Sequence, residues 1–207
     1  MSRPSPLAAA VVVGATGLGA GLWWRKHPSP CPYGLRVWVQ VPHPIISRSR
    51  LKRVLAPRPG ERVLEIGPGT GYYTLDLADW IGDGELEILD IQPEMLEHTM
   101  GKARSRGLTN VSSTPADATK LPYADRSFDA AVLVTTLGEI PDGDAALREV
   151  HRVLKPGGRA IIGEIAVGDP HFSRLTSLRR RAEGAGLAAD GHSGFPLAYF
   201  ARFTKPV

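Results

Sequence analysis

The residues best suited to chemistry lie in a glycine-rich stretch and at an acid that follows it. Glu65 precedes Gly67, Gly69 and Gly71, which alternate with other residues directly after a short apolar run. Glycines at this spacing allow a tight turn and let the backbone approach a ligand closely. Asp90 ends the next apolar run. A carboxylate there can accept two hydrogen bonds from ribose hydroxyls, so the combination predicts a nucleotide-like site.

A further acid, Glu139, follows a later apolar run that ends in Thr135 and Thr136. Loops at the carboxyl ends of strands are where open α/β sheets bind ligands. Glu139 could therefore be a general base, or could hold a cationic or hydroxyl-bearing substrate. The alternative is that Glu139 is a solvated or helix-capping acid. Group transfer often needs no base, because alignment of the reacting atoms supplies most of the rate enhancement.

These residues require an α/β scaffold, since apolar runs alternate with helical patterns from residue 61 onward. The runs predict seven strands, at 62–66, 85–90, 111–115, 128–135, 159–165, 187–192 and 197–203. Helices are predicted at 72–80, 93–106, 145–154 and 170–185. Strands that alternate with helices indicate a doubly wound, mostly parallel, Rossmann-like sheet with helices on both faces.

Charge divides the chain of 207 residues into two parts. Residues 1–60 hold nine Lys or Arg and no Asp or Glu, whereas the remaining 147 residues hold 16 basic and 21 acidic side chains. This division indicates a basic arm on an acidic body, with the arm facing membrane lipid or nucleic acid. The single cysteine, Cys31, excludes an intramolecular disulfide and a cysteine-rich metal site, and we predict no metal.

The basic arm contains an uncharged run at residues 7–24 that ends in Trp23 and Trp24 and is followed by Arg25 and Lys26. As a helix it would be about 27 Å long, close to the hydrocarbon thickness of a bilayer. We expect an N-terminal apolar helix that anchors the protein at the membrane, with the catalytic domain in the cytoplasm. A cleaved signal peptide and a dinucleotide-binding turn at residues 14–19 are the alternatives.

Residues 27–58 are expected to form a basic linker and substrate lid between an anchor at 1–26 and a catalytic domain at 59–207. The apolar segment 33–46 is the spare material that could cover a substrate pocket facing the membrane. The stretch 45–55 is apolar on one side and strongly cationic, which is typical of an interfacial helix. A solvated helix that caps the catalytic domain is the alternative.

Several motifs in the order found here resemble those of the class I S-adenosylmethionine-dependent methyltransferase family, of the type that acts on small molecules. They are the glycine turn that begins at Glu65, the acid Asp90, the triplet 116–118, and Leu-Lys-Pro-Gly-Gly at 154–158. The resemblance covers about residues 59–165. It implies S-adenosylmethionine as the cofactor.

The resemblance also implies roles for the glycine turn. Gly67 and Gly69 would face the methionine part of the cofactor, and Pro68 and Gly71 belong to the same binding turn. Glu65 would orient this loop or the cofactor's amino group.

The residues after the second and third strands would hold the nucleoside in such a protein. Asp90 would bind the ribose, and Ile91 would pack near the adenine. Asp117 would accept a hydrogen bond from the adenine amino group, with the backbone of Ala118 beside it. Thr135 and Thr136 would touch the cofactor and border the substrate, whereas the stretch 155–158 would be structural.

These expectations combine into a membrane-associated methyltransferase that acts on O, N or S of a small apolar or amphipathic acceptor. A quinone-like phenol, a phospholipid amine and a small thiol are candidate acceptors. A nucleic-acid methyltransferase that uses the basic arm is the first alternative, although no Asn/Asp-Pro-Pro-Tyr type motif is present. A non-catalytic cofactor-binding protein and a nicotinamide oxidoreductase are the others.

Overall fold

The computed structural model describes residues 28–31, 33–35 and 46–207. The strands are β1 (Arg62–Ile66), β2 (Glu85–Asp90), β3 (Val111–Pro115), β4 (Phe128–Val134), β5 (Leu154–Ile165), β6 (Ala188–Phe195) and β7 (Ala198–Thr204). The helices are α1 (Arg48–Leu55), α2 (Thr74–Ile81), α3 (Pro93–Ser105), α4 (Gly143–Val153) and α5 (Leu175–Gly184). Single 3-10 turns occur at Tyr33–Leu35 and Leu137–Glu139.

In the described part of the chain, all strands form one seven-stranded sheet in the order β3-β2-β1-β4-β5-β7-β6. Strands β1 to β5 are parallel, and β7 runs antiparallel to both of its neighbours. This confirms the predicted Rossmann-like fold. The strand order reverses between β1 and β4, and a crevice at the carboxyl ends of two such strands is where open sheets bind ligands.

The central strands are mostly apolar because both faces of the sheet are covered. On one face α1, α2 and α3 contribute Leu51, Leu77 and Leu96 to a core with Val63 and Val132 of the sheet. On the other face α4 and α5 contribute residues such as Leu147 and Leu178. Since α2 and α4 leave the sheet on opposite faces, the crevice between β1 and β4 stays uncovered by either helix.

Several element boundaries differ from the prediction. Strand β5 begins at Leu154, so the predicted structural turn at 155–158 lies inside it, where the pairing with β4 shifts register. Helix α5 begins at Leu175 instead of residue 170, because the Asp169 side chain accepts a hydrogen bond from the His171 N–H (2.7 Å) and holds a turn there. Strand β6 extends to Phe195 through a bulge between Ala189 and His192.

The predicted apolar helix at residues 7–24 and most of the predicted lid, residues 36–45, lie outside the described residues. Among the described helices, none is both long enough and apolar enough to cross a bilayer. The cationic stretch forms α1, whose Leu51 and Leu55 are fully buried against the catalytic domain. The apolar side of this helix therefore packs on the catalytic domain, as the alternative of a capping helix predicts.

A buried ion pair holds α1 to the amino-end edge of the sheet. Arg159, at 6% exposure, makes two hydrogen bonds to the carboxylate of Glu61, from Nη1 at 2.8 Å and from Nη2 at 2.6 Å. Its Nε also donates to the carbonyl of Leu55 at 2.5 Å, and Nη2 donates to that of Ala56 at 3.2 Å. One guanidinium thus joins β5, the start of β1 and the end of α1.

We expect Arg159→Leu to lower the free energy of unfolding by about 3–5 kcal/mol, because it leaves the buried Glu61 carboxylate without its partner. The double variant Glu61→Leu/Arg159→Leu should lose less than this single variant. Urea unfolding of purified protein measures both. The matched control is Arg106→Leu, since the ion pair of Arg106 with Asp79 is 45% and 41% exposed and should contribute under about 1 kcal/mol. Equal losses for Arg159→Leu and Arg106→Leu would contradict the assignment.

Candidate functional site

A cavity of about 250 Å³ lies at the carboxyl-end edge of the sheet, between β1 and β4. All of the predicted site residues except Gly71 line it. Those that do are Glu65, Gly67, Pro68, Gly69, Asp90, Ile91, Asp117, Ala118, Thr135, Thr136 and Glu139. The topology therefore brings together residues that are up to 74 positions apart in the sequence.

The turn after β1 lies directly against the end of β4. Gly67 has a φ of +69°, and a Cβ atom added to it would overlap the side chain of Thr136. The Gly67 N–H donates to the carbonyl of Leu89 on β2 at 2.8 Å, and Thr136 Oγ1 donates to the Gly67 carbonyl at 3.3 Å. Glycine is thus required at this position both by the backbone conformation and by the space available.

Gly71 lies behind this turn, outside the cavity lining. Its N–H donates to the carbonyl of Pro68 at 2.9 Å, and an added Cβ would come within 2.9 Å of Thr99. Thr99 in turn donates to the Gly69 carbonyl at 2.9 Å. In the structure Gly71 therefore allows α3 to pack against the turn.

Glu65 is a buried carboxylate at the base of the cavity, 3% exposed. Burial raises its pKa to about 7, although the Thr74 hydroxyl, which donates to Oε2 at 2.6 Å, opposes the rise. The ionised form is therefore costly in the empty cavity. A cationic group placed beside it would favour that form.

Asp90 ends β2 and is 9% exposed. Burial raises its pKa, while backbone N–H groups that include those of Gln92 and Ile91 act in the opposite direction. The Gln92 N–H donates to Oδ1 at 2.9 Å, which fixes the orientation of the carboxylate. Ile91 is 55% exposed although it is apolar, so its side chain offers a surface to a ligand beside Asp90.

Asp117 and Ala118 follow β3 at the far side of the cavity. The Asp117 side chain is exposed, and its Oδ1 accepts a hydrogen bond from the Thr119 N–H at 2.8 Å. Ala118 is 7% exposed. Its small side chain takes up little space in the cavity.

Thr135 has a strained backbone. Its φ is +53°, in the left-handed region that β-branched residues rarely adopt. The N–H of Thr135 donates to the Gly163 carbonyl on β5 at 2.8 Å, which holds this conformation in place. Such strain costs of order 1–3 kcal/mol and is concentrated at functional sites.

Glu139 lies in the 3-10 turn after β4 and faces the cavity. Burial raises its pKa to about 7, and the nearby carboxylates Asp169 and Asp90 act in the same direction. The Cys31 N–H donates to Oε2 at 3.2 Å and opposes the rise. A carboxyl group with this pKa can take up a proton near neutral pH.

Sequence reasoning missed part of the cavity wall. Tyr72, Tyr73 and Met95 contribute apolar surface, and Cys31 and Gln92 complete the rim. Tyr73 was placed only within a predicted helix, but its hydroxyl donates to the Ile46 carbonyl at 2.5 Å and so closes one side. The types of these residues were visible in the sequence, but no local pattern indicated on which side of the glycine turn they lie.

A buried carboxyl group beyond the cavity was also missed. Glu164 on β5 is 1% exposed and its pKa is raised to about 8, first by burial and then by nearby Asp169. Its Oε2 accepts a hydrogen bond from the Ser173 N–H at 3.1 Å. With Glu139 and Asp169 it makes this end of the sheet acidic.

The charged residues among the described lining of the cavity are Glu65, Asp90, Asp117 and Glu139, and this lining includes no Lys, Arg or His. Four acids without a base attract a cationic ligand and repel a phosphate-bearing one. A glycine turn can hold a dinucleotide pyrophosphate, but the charge of this cavity disfavours that ligand.

Comparison with known proteins gives a family for the central part of the chain. Residues 63–158 match a family described as a methyltransferase domain. Over 115 residues the chain is 41% identical to the ubiquinone/menaquinone biosynthesis C-methyltransferase UbiE of Shewanella oneidensis and 40% identical to that of Shewanella frigidimarina. The match covers 55% of this chain and 46% of each relative, so the chain spans about half the length of these relatives.

Solved structures agree on the fold. A SAM-dependent methyltransferase from Aquifex aeolicus superposes with a TM-score of 0.77 at 20% identity, covering 86% of this chain and all of that one. The [4+2]-cyclase SpnF superposes with a TM-score of 0.70 at 22% identity, covering 77% of this chain and 80% of that one. The two proteins are named for different reactions, so the shared fold does not by itself determine the reaction.

Proposed function

We propose that this protein is a class I S-adenosylmethionine-dependent methyltransferase that transfers a methyl group to a small apolar, phenol-like acceptor, since residues 63–158 match a methyltransferase domain. The observation that carries the proposal is the acid-lined cavity around the glycine turn. S-adenosylmethionine has a sulfonium and an ammonium group against one carboxylate, so its net charge is positive. It suits this cavity where a dinucleotide does not.

The cofactor residues are proposed on the same basis. The backbone of the turn at Gly67 and Gly69 would lie against the methionine part, and Glu65 would orient the turn or the ammonium group. Asp90 would bind the ribose hydroxyls, whereas Ile91, Asp117 and the backbone of Ala118 would hold the adenine. When bound, the cofactor supplies a methyl group on sulfur that leaves readily once an electron-rich acceptor atom attacks it.

The cavity lining also has apolar and aromatic residues, among them Ile46, Tyr72, Tyr73 and Ile140, and these would contact the acceptor. The relatives named above carry C-methylation and quinone biosynthesis in their names. A quinone-related phenol is therefore the acceptor that we propose. The ring carbon next to the hydroxyl group of such a phenol is then a candidate methylation site, in addition to the O, N and S atoms expected from the sequence.

Glu139 is the residue that we propose as general base. Its carboxylate would accept the phenol proton. The resulting phenolate would attack the methyl carbon through its oxygen or the adjacent ring carbon, while the methyl–sulfur bond breaks and its electron pair stays on sulfur. Methylation at carbon would then be completed by loss of the ring proton to solvent. Thr135 and Thr136 border both the turn and Glu139, so they would position the acceptor against the cofactor.

Two alternatives remain distinct from this proposal. A nucleic-acid substrate would have to bring phosphates to a cavity lined by four acids, which disfavours it. A protein that binds the cofactor without transferring its methyl group would have the same fold and the same cavity.

Full-length protein incubated with methyl-labelled S-adenosylmethionine and a whole-cell extract should transfer label to the organic phase after solvent partition. Asp90→Ala should lower this transfer at least tenfold, because two hydrogen bonds from the ribose to a charged group are lost. Asp83→Ala is the matched control, since Asp83 is an exposed acid on the loop between α2 and β2. Label in nucleic acid would favour the first alternative, and cofactor binding without any labelled product would favour the second.

The pH dependence of turnover tests the base. With a pKa of about 7, Glu139 is protonated at pH 6 and ionised at pH 8. The value of kcat/KM, which reflects ionisation of the free enzyme, should therefore fall as the pH decreases through about 7. Glu139→Gln should lower the rate about 10²–10⁴-fold and weaken this dependence, leaving the contribution of Glu65, whose pKa is also about 7. Glu183→Gln, on the exposed face of α5, should leave the profile unchanged; an unchanged profile in Glu139→Gln would exclude it as the base.

We also propose that the carboxyl-end edge of the sheet docks on a lipid bilayer, from which an apolar acceptor would enter the cavity. Four of the large apolar side chains that are exposed in the described residues lie at this edge. They are Ile91 after β2, Val167 after β5, and Phe195 and Leu197 where β6 meets β7. The last two adjoin Val167, because the Ala166 N–H donates to the Leu197 carbonyl at 2.8 Å. The uncharged run at residues 7–24 is a second apolar stretch that would favour a membrane location.

Flotation of the full-length protein with vesicles of phosphatidylcholine, which has no net charge, tests this surface. The double variant Phe195→Ser/Leu197→Ser should lower the partition coefficient about tenfold. The two side chains are 46% and 56% exposed, so each would add about half of the roughly 1.5 kcal/mol that a fully buried apolar side chain contributes. Val207→Ser is the control, since this exposed residue follows β7 at the opposite edge. Equal partition of both variants would contradict the docking surface.

A further inference from the structure

Gln92 holds an N-terminal segment at the rim of the cavity through both atoms of its side-chain amide. Its Oε1 accepts a hydrogen bond from the Tyr33 N–H at 3.2 Å, and its Nε2 donates to the Cys31 carbonyl at 3.0 Å. Pro30 and Cys31 line the cavity. We call residues 28–31 and 33–35 the strap.

The strap has a second anchor on the other side of the cavity. The Cys31 N–H donates to Glu139 Oε2 at 3.2 Å. Gln92 follows β2 and Glu139 follows β4, and β1 lies between these two strands. Both side chains bond the backbone of Cys31, so this one residue of the strap is held at the cavity rim between the end of β2 and the end of β4, on either side of β1.

The first anchor is joined directly to the carboxylate that we assign to the ribose. The Gln92 N–H donates to Asp90 Oδ1 at 2.9 Å, so one residue bonds Asp90 through its backbone and the strap through its side chain. A ligand that fixes the Asp90 carboxylate also fixes the backbone of Gln92, and with it the amide that holds the strap.

We infer that Gln92 is a positioning residue that couples closure of the strap to cofactor binding. The inference rests on the proposed function only in taking S-adenosylmethionine as the ligand of Asp90. Coupling of this kind is reciprocal, so a docked strap raises cofactor affinity by the same factor by which the cofactor favours docking. The strap would then exclude water from the methyl group and retain the cofactor until the product leaves.

Gln92 is suited to substitution because its side chain does not cap α3. It occupies the N-cap position of this helix without making a side-chain capping bond. Gln92→Ala therefore removes two bonds to the strap and leaves the cap unchanged. Gln92→Glu keeps an acceptor for Tyr33 but places a carboxylate oxygen against the Cys31 carbonyl.

The experiment measures amide hydrogen exchange of the strap in the full-length protein, with and without S-adenosylmethionine, together with the dissociation constant from calorimetry. In the wild type, saturating cofactor should slow exchange in the strap about tenfold. Gln92→Ala should reduce this protection, most at the Tyr33 amide that Gln92 bonds, and raise the dissociation constant about tenfold, as expected for two neutral hydrogen bonds. Gln92→Glu should give an intermediate effect, and thermal stability should not change in either variant.

Glu97→Ala is the matched control, because Glu97 is exposed on the same helix. It should reproduce the wild type in both measurements. Cofactor binding without strap protection, or equal protection in Gln92→Ala, would overturn the coupling and leave the proposed function intact. Absence of cofactor binding to the wild type would overturn both.

Discussion

The site depends on one close approach, between the turn after β1 and the end of β4. Gly67 can lie under Thr136 only because it has no side chain and accepts a positive φ. With a larger residue the two strand ends would separate, and the turn would no longer face Asp90 on one side and Glu139 on the other. The strand order places this contact where α2 and α4 leave the sheet on opposite faces, so the crevice is a direct product of the topology.

The position of several carboxyl groups in or near this crevice explains their raised pKa values. Carboxyl groups at the ends of parallel strands are removed from water by the layers on both faces, so the pKa of Glu65 and of Glu139 rises to about 7 and that of Glu164 to about 8. Each group destabilises the empty fold as the pH rises above the ordinary glutamate pKa and the charge must be carried in a low-dielectric site. A cation in the cavity offsets that cost, which relates the acid lining to the ligand proposed for it.

The sequence predicted those parts of the molecule that local patterns specify. The strands ending at Ile66 and Asp90 were predictable because short apolar runs bounded by glycines or acids are typical of buried parallel strands. The family resemblance was confirmed by the match at residues 63–158. The start of α5 was not predictable, because the Asp169 side chain competes locally with the helix.

The part of the cavity rim formed by Cys31 and Gln92 could not be predicted, because it depends on contacts between residues that are far apart in the sequence. The bonds that join Gln92 to Tyr33 and Cys31 to Glu139 span 59 and 108 positions, and no period in the sequence records them. Segment 33–46 was expected to form a lid. Residues 36–45 of this segment lie outside the described residues, and Pro30, Cys31 and Ile46 of the expected linker and lid at 27–58 line the cavity.

Strand β6, at the end of the sheet, bears on how copies of this protein meet one another. Among the described strands it has a neighbour on one side only, and the row of backbone groups on its other side can pair with the edge of another molecule. The bulge between Ala189 and His192 and the positive φ of Gly191 and Gly194 interrupt the regular spacing that edge-to-edge pairing requires. This irregular edge thereby disfavours addition of another copy at β6.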